Sequence, residues 1–232
     1  MKHTILVTAH PDESAAVQRA FACCESIVHS GSQVGHVFFM HDANFVAVHP
    51  SASQWTSFAA ANNVALQTCI STAEQKSIQS RYYAAGFLQG GLSTLADSIL
   101  SSDVVYQFNS DDDGFQLELT ENAVEDRKKI LFIFETEPSE NSFAAEGVDL
   151  LLVLSAFEAH ITVVFKADGI KNLTSDVANR PRYTKRFKAL EDFGVNQLFI
   201  VAKDDQEVDE NIKQITHDEF CILLNENHTL RF

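Results

Sequence analysis

The chain has 232 residues, of which 45% are hydrophobic and 21% charged, and its formal net charge is -15. This composition is typical of a folded globular protein, and the acidic excess argues against a broad nucleic-acid-binding surface, which needs clustered Lys and Arg. Four cysteines are too few for a disulfide framework and fit a reducing compartment, and the longest apolar stretch, 148–157, is about half of a bilayer span. We therefore expect a cytoplasmic protein without membrane segments, whose partners are proteins or small molecules.

The first half begins with the strand pattern HTILVTA, at 3–9, followed by a helical pattern from about Ser14 to His29. The apolar residues that form one stripe of this helix are Val17, Phe21, Cys24 and Val28. A second strand pattern covers 34–40, and further strand patterns occur in 62–71 and 104–108. Strands thus alternate with helical sequence.

The second half repeats this order, with a strand from Lys128, a helix over 142–157 and a strand from His160. Two later segments also align with the first half: 193–202 with 62–71, and 228–232 with 104–108. Alternating strands and helices predict parallel βαβ units. We expect an α/β protein of two tandem, similar domains, 1–108 and 128–232, each a doubly wound, flavodoxin-like parallel sheet flanked by helices.

An acidic segment separates the two predicted domains. Residues 109–126 contain seven acidic residues and no basic one. This charge pattern predicts a solvated linker over 109–127, although the alternating FQLEL within it could add an edge strand.

The motif His10-Pro11-Asp12-Glu13 follows the first strand. It resembles the zinc-binding opening of LmbE-like deacetylases, in which a strand delivers a His and an Asp to the metal. A catalytic zinc needs three protein ligands, and the sequence has neither the second consecutive Asp nor the downstream His cluster of that pattern. We favour a turn in which Pro11 ends the strand and Asp12 or Ser14 caps the helix. A zinc-dependent deacetylase is the less favoured alternative.

Cys69 lies at the carboxyl end of the predicted strand VALQTCI, on the opposite face from Leu66 and Thr68. The following Ser71-Thr72-Ala73-Glu74 matches a helical capping box. A thiol at such a turn is close to free backbone N–H groups, which favour the thiolate, and ligand sites of parallel sheets gather at this edge. The alternative is a small buried hydrophobe, as expected for Cys24 on its core stripe and for Cys221 within FCILL.

Several segments resemble the DsrE/DsrF-like sulfur-relay family. In the first half, ILVTA, SQVGHVFFMHDA, NNVALQTCIS and GFLQGGLSTLADSILSSDVVYQF are similar to TusD and DsrE; in the second, EGVDLLLVLSAFEAHITVVFKADGI and the terminal LRF are similar to TusC and DsrF. These subunits are usually separate chains, so the resemblance implies a natural fusion. It places the single essential Cys of the TusD-like subunit at Cys69, and Ile200 at the corresponding position of the second half.

The resemblance implies a persulfide carrier with sulfurtransferase-like activity, in which Cys69 is catalytic, His10, Ser71 and Thr72 are site neighbours, and no metal or organic cofactor takes part. It further implies a TusA-like donor, a TusE-like acceptor, a TusB-like third subunit from elsewhere or self-association, and tRNA thiolation or dissimilatory sulfur metabolism as the endpoint. His10 could help to hold a thiolate, whereas Asp12 and Glu13 would oppose it. The competing interpretation is a non-catalytic assembly or binding module.

One basic run, 180–188, interrupts the acidic background. It is either a solvated helix face or a docking surface for an acidic partner. No Gly-rich nucleotide-binding loop is found, which argues against a dinucleotide enzyme.

Overall fold

The structure, a computed structural model, describes residues 1–109, 129–136, 142–157, 159–173, 189–201 and 212–232. The chain divides into two compact units, Met1–Leu117 and Glu118–Phe232. The predicted linker, its FQLEL segment and the basic run 180–188 lie outside the described residues, apart from Asn109, so those three remain predictions. Within the described ranges, no helix has the length and apolar character needed to cross a membrane.

The described residues of the first unit form one five-stranded parallel sheet with the order β4-β3-β2-β1-β5. Its strands are β1 (Lys2–Val7), β2 (Gln33–Phe39), β3 (Ala65–Cys69), β4 (Phe87–Gly90) and β5 (Val104–Phe108). Its α-helices are α1 (Ala16–His29), α2 (Ala52–Asn62), α3 (Ile70–Gln75) and α4 (Leu92–Leu100), and 3-10 helices cover His41–Val48 and Ser80–Tyr82.

Helices cover both faces of this sheet. On one face, α1 and α2 bury a stripe that includes Val17, Cys24 and Trp55 against apolar strand residues. On the other face, the Thr4 hydroxyl of β1 donates to the Ser98 carbonyl of α4 over 3.1 Å. The doubly wound arrangement and the predicted core stripe of the first helix are therefore confirmed.

The second unit has the sheet order β10-β6-β7-β8-β9, again parallel. Its strands are β6 (Lys129–Phe134), β7 (His160–Lys166), β8 (Gln197–Val201), β9 (Lys213–Gln214) and β10 (His228–Arg231). Among the residues that the structure describes here, the helices with defined bounds are the α-helices α5 (Ser142–Ala156) and α6 (His217–Glu226) and the 3-10 helices Ala167–Asn172 and Glu191–Phe193.

Both units place their first strand between their second and fifth strands, so the predicted repeat is confirmed as two copies of one topology. This order differs from the 2-1-3-4-5 order of flavodoxin itself. In each unit the carboxyl ends of the strands meet at one edge, which is where Cys69 lies in the first.

Candidate functional site at the carboxyl edge of the first unit

Cys69 is the last residue of β3, and its partner in the neighbouring strand β4 is Gly90. On the β2 side, the last pair in register is Phe39 with Thr68. The Asn44 side chain continues the hydrogen bonding one residue further: Oδ1 accepts from the Cys69 N–H over 3.0 Å, and Nδ2 donates to the Cys69 carbonyl over 3.3 Å. The backbone of Cys69 is thus held on both sides.

The Cys69 residue is 0% exposed. Its Sγ lies 3.2 Å from the hydroxyl of Ser71, which is an exposed residue, and Ile70 between them is 40% exposed. The sulfur is therefore covered, but the hydroxyl that it contacts belongs to an exposed residue. Whether Cys69 is reachable was not predictable from the sequence.

The capping box predicted at Ser71 is wrong. Helix α3 already begins at Ile70, Cys69 occupies its N-cap position, and no side chain caps it. The strand runs directly into the helix, and the Thr72 hydroxyl instead accepts from Asn44 Nδ2 over 2.5 Å and from the His41 N–H over 3.3 Å. Because α3 has only six residues, its dipole contributes less to the site than the sequence suggested.

A second group of residues at this edge was missed by the sequence reasoning. Asp42 pairs with Lys76 Nζ at 2.5 Å and with His41 Nδ1 at 3.0 Å. Burial alone would raise the pKa of Asp42, but the hydrogen bond from Lys76 and the charges of His41, Lys76 and His10 hold that pKa below its ordinary value. Burial lowers the pKa of His41, partly offset by Asp42.

Asn44, the main contact of the Cys69 backbone, was missed as well. The available signal was its position in HDAN, immediately after the second strand, at the same edge as Cys69.

His10 is half-buried in the loop after β1. Its Nδ1 accepts from the Asp12 N–H over 3.2 Å, and its ring centroid lies 5.0 Å from that of Phe45. Within the described first unit, His10 shares the carboxyl edge with Cys69, but none of its contacts is with that residue. A direct role of His10 at the sulfur remains a prediction.

The turn interpretation of the His-Pro-Asp-Glu motif is confirmed, since residues 11–13 form a turn. The predicted helix cap is wrong, because Ala15 occupies the N-cap position of α1 and no side chain caps it. Ser14 Oγ accepts from the Ala16 N–H over 3.1 Å, and the Asp12 carboxylate accepts from His49 Nε2 over 2.9 Å. Over the part of the chain that the structure describes, no group of three or more His, Cys, Asp or Glu is placed to hold a metal ion.

The other cysteines differ from Cys69 in their surroundings. Burial raises the pKa of Cys23 to about 11 and that of Cys24 further still. Cys221 was predicted to be buried, and this is wrong: it is half-exposed, with Sγ 3.6 Å from Nε2 of His217 one helical turn earlier. All four cysteines are free.

Strand register gives the counterpart of Cys69 in the second unit. Phe39 pairs with Thr68, and Phe165 pairs with Ile200. Both Phe residues lie two positions before a residue with positive φ, His41 (54°) and Ala167 (50°), at which a 3-10 helix begins. Val201 therefore corresponds to Cys69, and the predicted Ile200 is wrong by one residue. The second unit has an aliphatic side chain at this place.

The fold and site define a tandem α/β protein with a buried cysteine, Cys69, at the carboxyl edge of its first sheet. Residues 128–201 match the family model described as "DsrE/DsrF-like family". "Protein TusC" of Buchnera aphidicola is 39% identical over 77 residues, and that of Escherichia coli O8 is 35% identical over 79 residues. Each match covers 32% of this chain and less than two thirds of the relative, 65% and 66%.

A "Sulfurtransferase TusD homolog" of Vibrio parahaemolyticus is 27% identical over 128 residues, which cover 47% of this chain and 98% of the relative. The first half is thus similar to TusD homologues and the second to TusC, so the resemblance to sulfur-relay proteins is confirmed and is consistent with a TusD/TusC-like fusion. The crystal structure of the ychN protein from E. coli aligns with a TM-score of 0.42 and 21% identity, covering 47% of this chain and all of that one.

Proposed function

We propose that this protein is a persulfide sulfur carrier of a sulfur relay and that Cys69 is the residue that carries the sulfur. The observation that carries the proposal is the setting of Cys69 at the end of the third strand of the first unit. There, its backbone is held by Asn44 and its sulfur contacts the hydroxyl of exposed Ser71. The name "Sulfurtransferase TusD homolog" of relatives of the first half supports the same chemistry.

The proposed reaction consists of two thiol exchanges. The Cys69 thiolate attacks the outer sulfur of a donor persulfide, R–S–SH; a new S–S bond forms, the donor S–S bond breaks, and R–S⁻ leaves. An acceptor thiolate then attacks the outer sulfur of Cys69–S–SH and regenerates the Cys69 thiolate. No oxidant, metal or organic cofactor is consumed, since each step exchanges one S–S bond for another.

Transfer requires that the covered sulfur become reachable. Helix α3 begins immediately after Cys69, and its first residues, Ile70 and Ser71, are exposed. We propose that a displacement of this six-residue helix exposes the sulfur, whereas exposing the core cysteine Cys24 would require α1 to leave the sheet. The proposal includes a TusA-like sulfur donor and a TusE-like acceptor. It also includes a TusB-like partner or self-association, and delivery of the sulfur to tRNA thiolation.

The test is mass spectrometry of the protein after incubation with glutathione persulfide. We expect a gain of one sulfur atom, located at Cys69 by peptide mapping and absent from Cys69→Ser. Cys221→Ser, which removes the half-exposed cysteine of the second unit, is the matched control and should retain the gain. A gain that survives in Cys69→Ser would place the sulfur elsewhere and reject the proposal.

A non-catalytic assembly module is the second candidate, favoured by the 0% exposure of Cys69. Alkylation of the native protein by iodoacetamide distinguishes the two candidates. A carrier reacts at Cys69 without denaturant on a timescale of minutes to hours, whereas a module with a permanently sealed cysteine reacts there only after unfolding.

A further inference from the structure

We infer that Asn44 is the positioning residue for sulfur transfer at Cys69, which deepens the proposed function and rests on it. Asn44 is 0% exposed, and burial of an amide is costly unless its hydrogen bonds are satisfied. Here, all described hydrogen bonds of the Asn44 side chain are made to Cys69 and to the helix that follows Cys69, and none is made to the 3-10 helix that contains Asn44.

The three bonds fix different parts of the site. Oδ1 holds the Cys69 N–H at 3.0 Å, while Nδ2 reaches both the Cys69 carbonyl, at 3.3 Å, and the Thr72 hydroxyl, at 2.5 Å. One side chain therefore fixes the peptide groups on both sides of the Cys69 Cα and the first turn of α3. These groups determine the direction of the Cα–Cβ bond and so limit Sγ to the few rotamers about that bond.

The second unit provides an internal comparison. Counting from the positive-φ residues His41 and Ala167, Asn44 corresponds to Ile170, which is 2% exposed. The same topology is therefore built with an apolar side chain at this position, so the fold itself does not require an amide. Asparagine occurs in the unit that has Cys69, and isoleucine in the unit that has Val201.

Geometry of this kind affects rate more than stability. Exchange between sulfurs requires the attacking sulfur in line with the bond that breaks, and a misplacement of about 1 Å can lower a rate roughly a hundredfold. Without Asn44, the Cys69 N–H loses its side-chain partner, and the Cys69 carbonyl keeps only the longer bond, 3.4 Å, from the Thr72 hydroxyl. The thiol then samples orientations that point away from Ser71. We expect sulfur loading to fall at least tenfold.

The main variant is Asn44→Asp, which keeps the shape and the acceptor for the Cys69 N–H but loses both donated bonds when ionised. A protonated carboxyl regains one donor, and burial raises the pKa of a carboxyl. We therefore expect the loading rate of Asn44→Asp, relative to wild type, to rise as the pH is lowered. A purely structural role predicts a ratio that does not change with pH.

Asn63→Asp is the matched control, since Asn63 is exposed at the end of α2 in the same unit. It introduces the same charge and should load like the wild type. Asn44→Ser, with a shorter hydroxyl, is the second variant if Asn44→Asp does not fold, as monitored by Trp55 fluorescence; it should load at least tenfold more slowly.

The outcomes separate the inference from the proposed function. If the wild type gains sulfur at Cys69 and the folded Asn44 variants load at the wild-type rate, Asn44 has no positioning role but the carrier function stands. If the wild type itself gains no sulfur at Cys69, both fail. The inference is supported if Asn44→Asp loads sulfur slowly and its loading rate, divided by that of the wild type, rises towards acid pH.

Discussion

At the scale of single residues, the Ser71 hydroxyl contacts the Cys69 sulfur at 3.2 Å. A hydroxyl that donates to a thiolate makes a charge-assisted hydrogen bond, and solvent can replace part of it at an exposed position. We expect Ser71→Ala to slow alkylation of Cys69 by iodoacetamide roughly three- to tenfold. Ser80→Ala, at another exposed serine of the first unit, should leave the rate unchanged. Faster alkylation of Ser71→Ala would mean that the hydroxyl acts as a cover.

The position of Cys69 was predictable from the sequence, because alternation locates the end of a strand and the carboxyl edge follows from the parallel fold. Its burial and its contact with Asn44 were not. They depend on how the 3-10 helix after β2 folds back over β3, which involves residues 25 positions apart. Local periodicity does not contain that information.

His3 links the stability of the first unit to pH. It is 6% exposed, and its ring stacks on Tyr106 with centroids 5.8 Å apart. Burial lowers the pKa of His3, and the positive charge of the N-terminus lowers it further, whereas the negative charge of Asp103 partly opposes both effects. Below about pH 6.5 the unfolded chain therefore binds a proton that the folded chain excludes, and stability falls as the pH drops from there through the folded pKa.

We expect His3→Phe, which keeps a ring and removes the proton site, to reduce this fall in the free energy of unfolding at acid pH. The reduction is about 1.4 kcal/mol for each pH unit by which folding lowers the His3 pKa. Urea unfolding monitored by Trp55 fluorescence at about pH 5 and about pH 8 measures it. The same substitution at exposed His29 should leave the slope as it is in the wild type. An unchanged slope in His3→Phe would assign the effect to other groups.

At the scale of elements, α3 is fastened to the 3-10 helix His41–Val48 by the ion pair between Lys76 and Asp42. The two side chains are 25% and 34% exposed, so the pair is worth no more than about 1 kcal/mol. We expect Lys76→Met, which keeps the apolar stem, to speed alkylation of Cys69 up to about fivefold by loosening α3. High salt should speed the wild type similarly and the variant little.

Lys171→Met is the matched control, because Lys171 pairs with Asp168 in the corresponding 3-10 helix of the second unit. It should not change the reactivity of Cys69. An equal acceleration in both variants would show that charge, and not the fastening of α3, controls access.

Strong periodic patterns located most elements to within two residues. The helix predicted from Ser14 begins at Ala16, and the strand predicted over 34–40 is Gln33–Phe39. No element was predicted between 41 and 61, where a 3-10 helix begins at a positive φ and α2 buries Ala52, Trp55, Phe58 and Ala59. Two of these four are alanines, which mark an apolar stripe only weakly in the sequence. The four-residue strand β4 was also missed, since it is too short to show alternation.

At the scale of the whole molecule, the two units share one topology. The fifth strand of the first unit ends at Phe108, and that of the second unit is followed by Phe232. In the second unit, Phe232 is 2% exposed and packs against Phe132 and Phe143, with ring centroids 5.7 and 5.0 Å apart. A side chain on Gly147 would collide with it. Phe232→Ala should therefore destabilise the second unit by about 3–5 kcal/mol.

The protein has one tryptophan, Trp55, which is buried in the first unit with its ring edge-on to those of Phe21 and Phe39. Its fluorescence therefore reports unfolding of that unit, whereas far-ultraviolet circular dichroism reports both. If each unit has its own cooperative core, Phe232→Ala shifts part of the dichroism transition to lower urea and leaves the fluorescence transition in place. Phe108→Ala, at the corresponding terminal strand of the first unit, should shift the fluorescence transition. A parallel shift of both signals in Phe232→Ala would show that the two halves unfold as one.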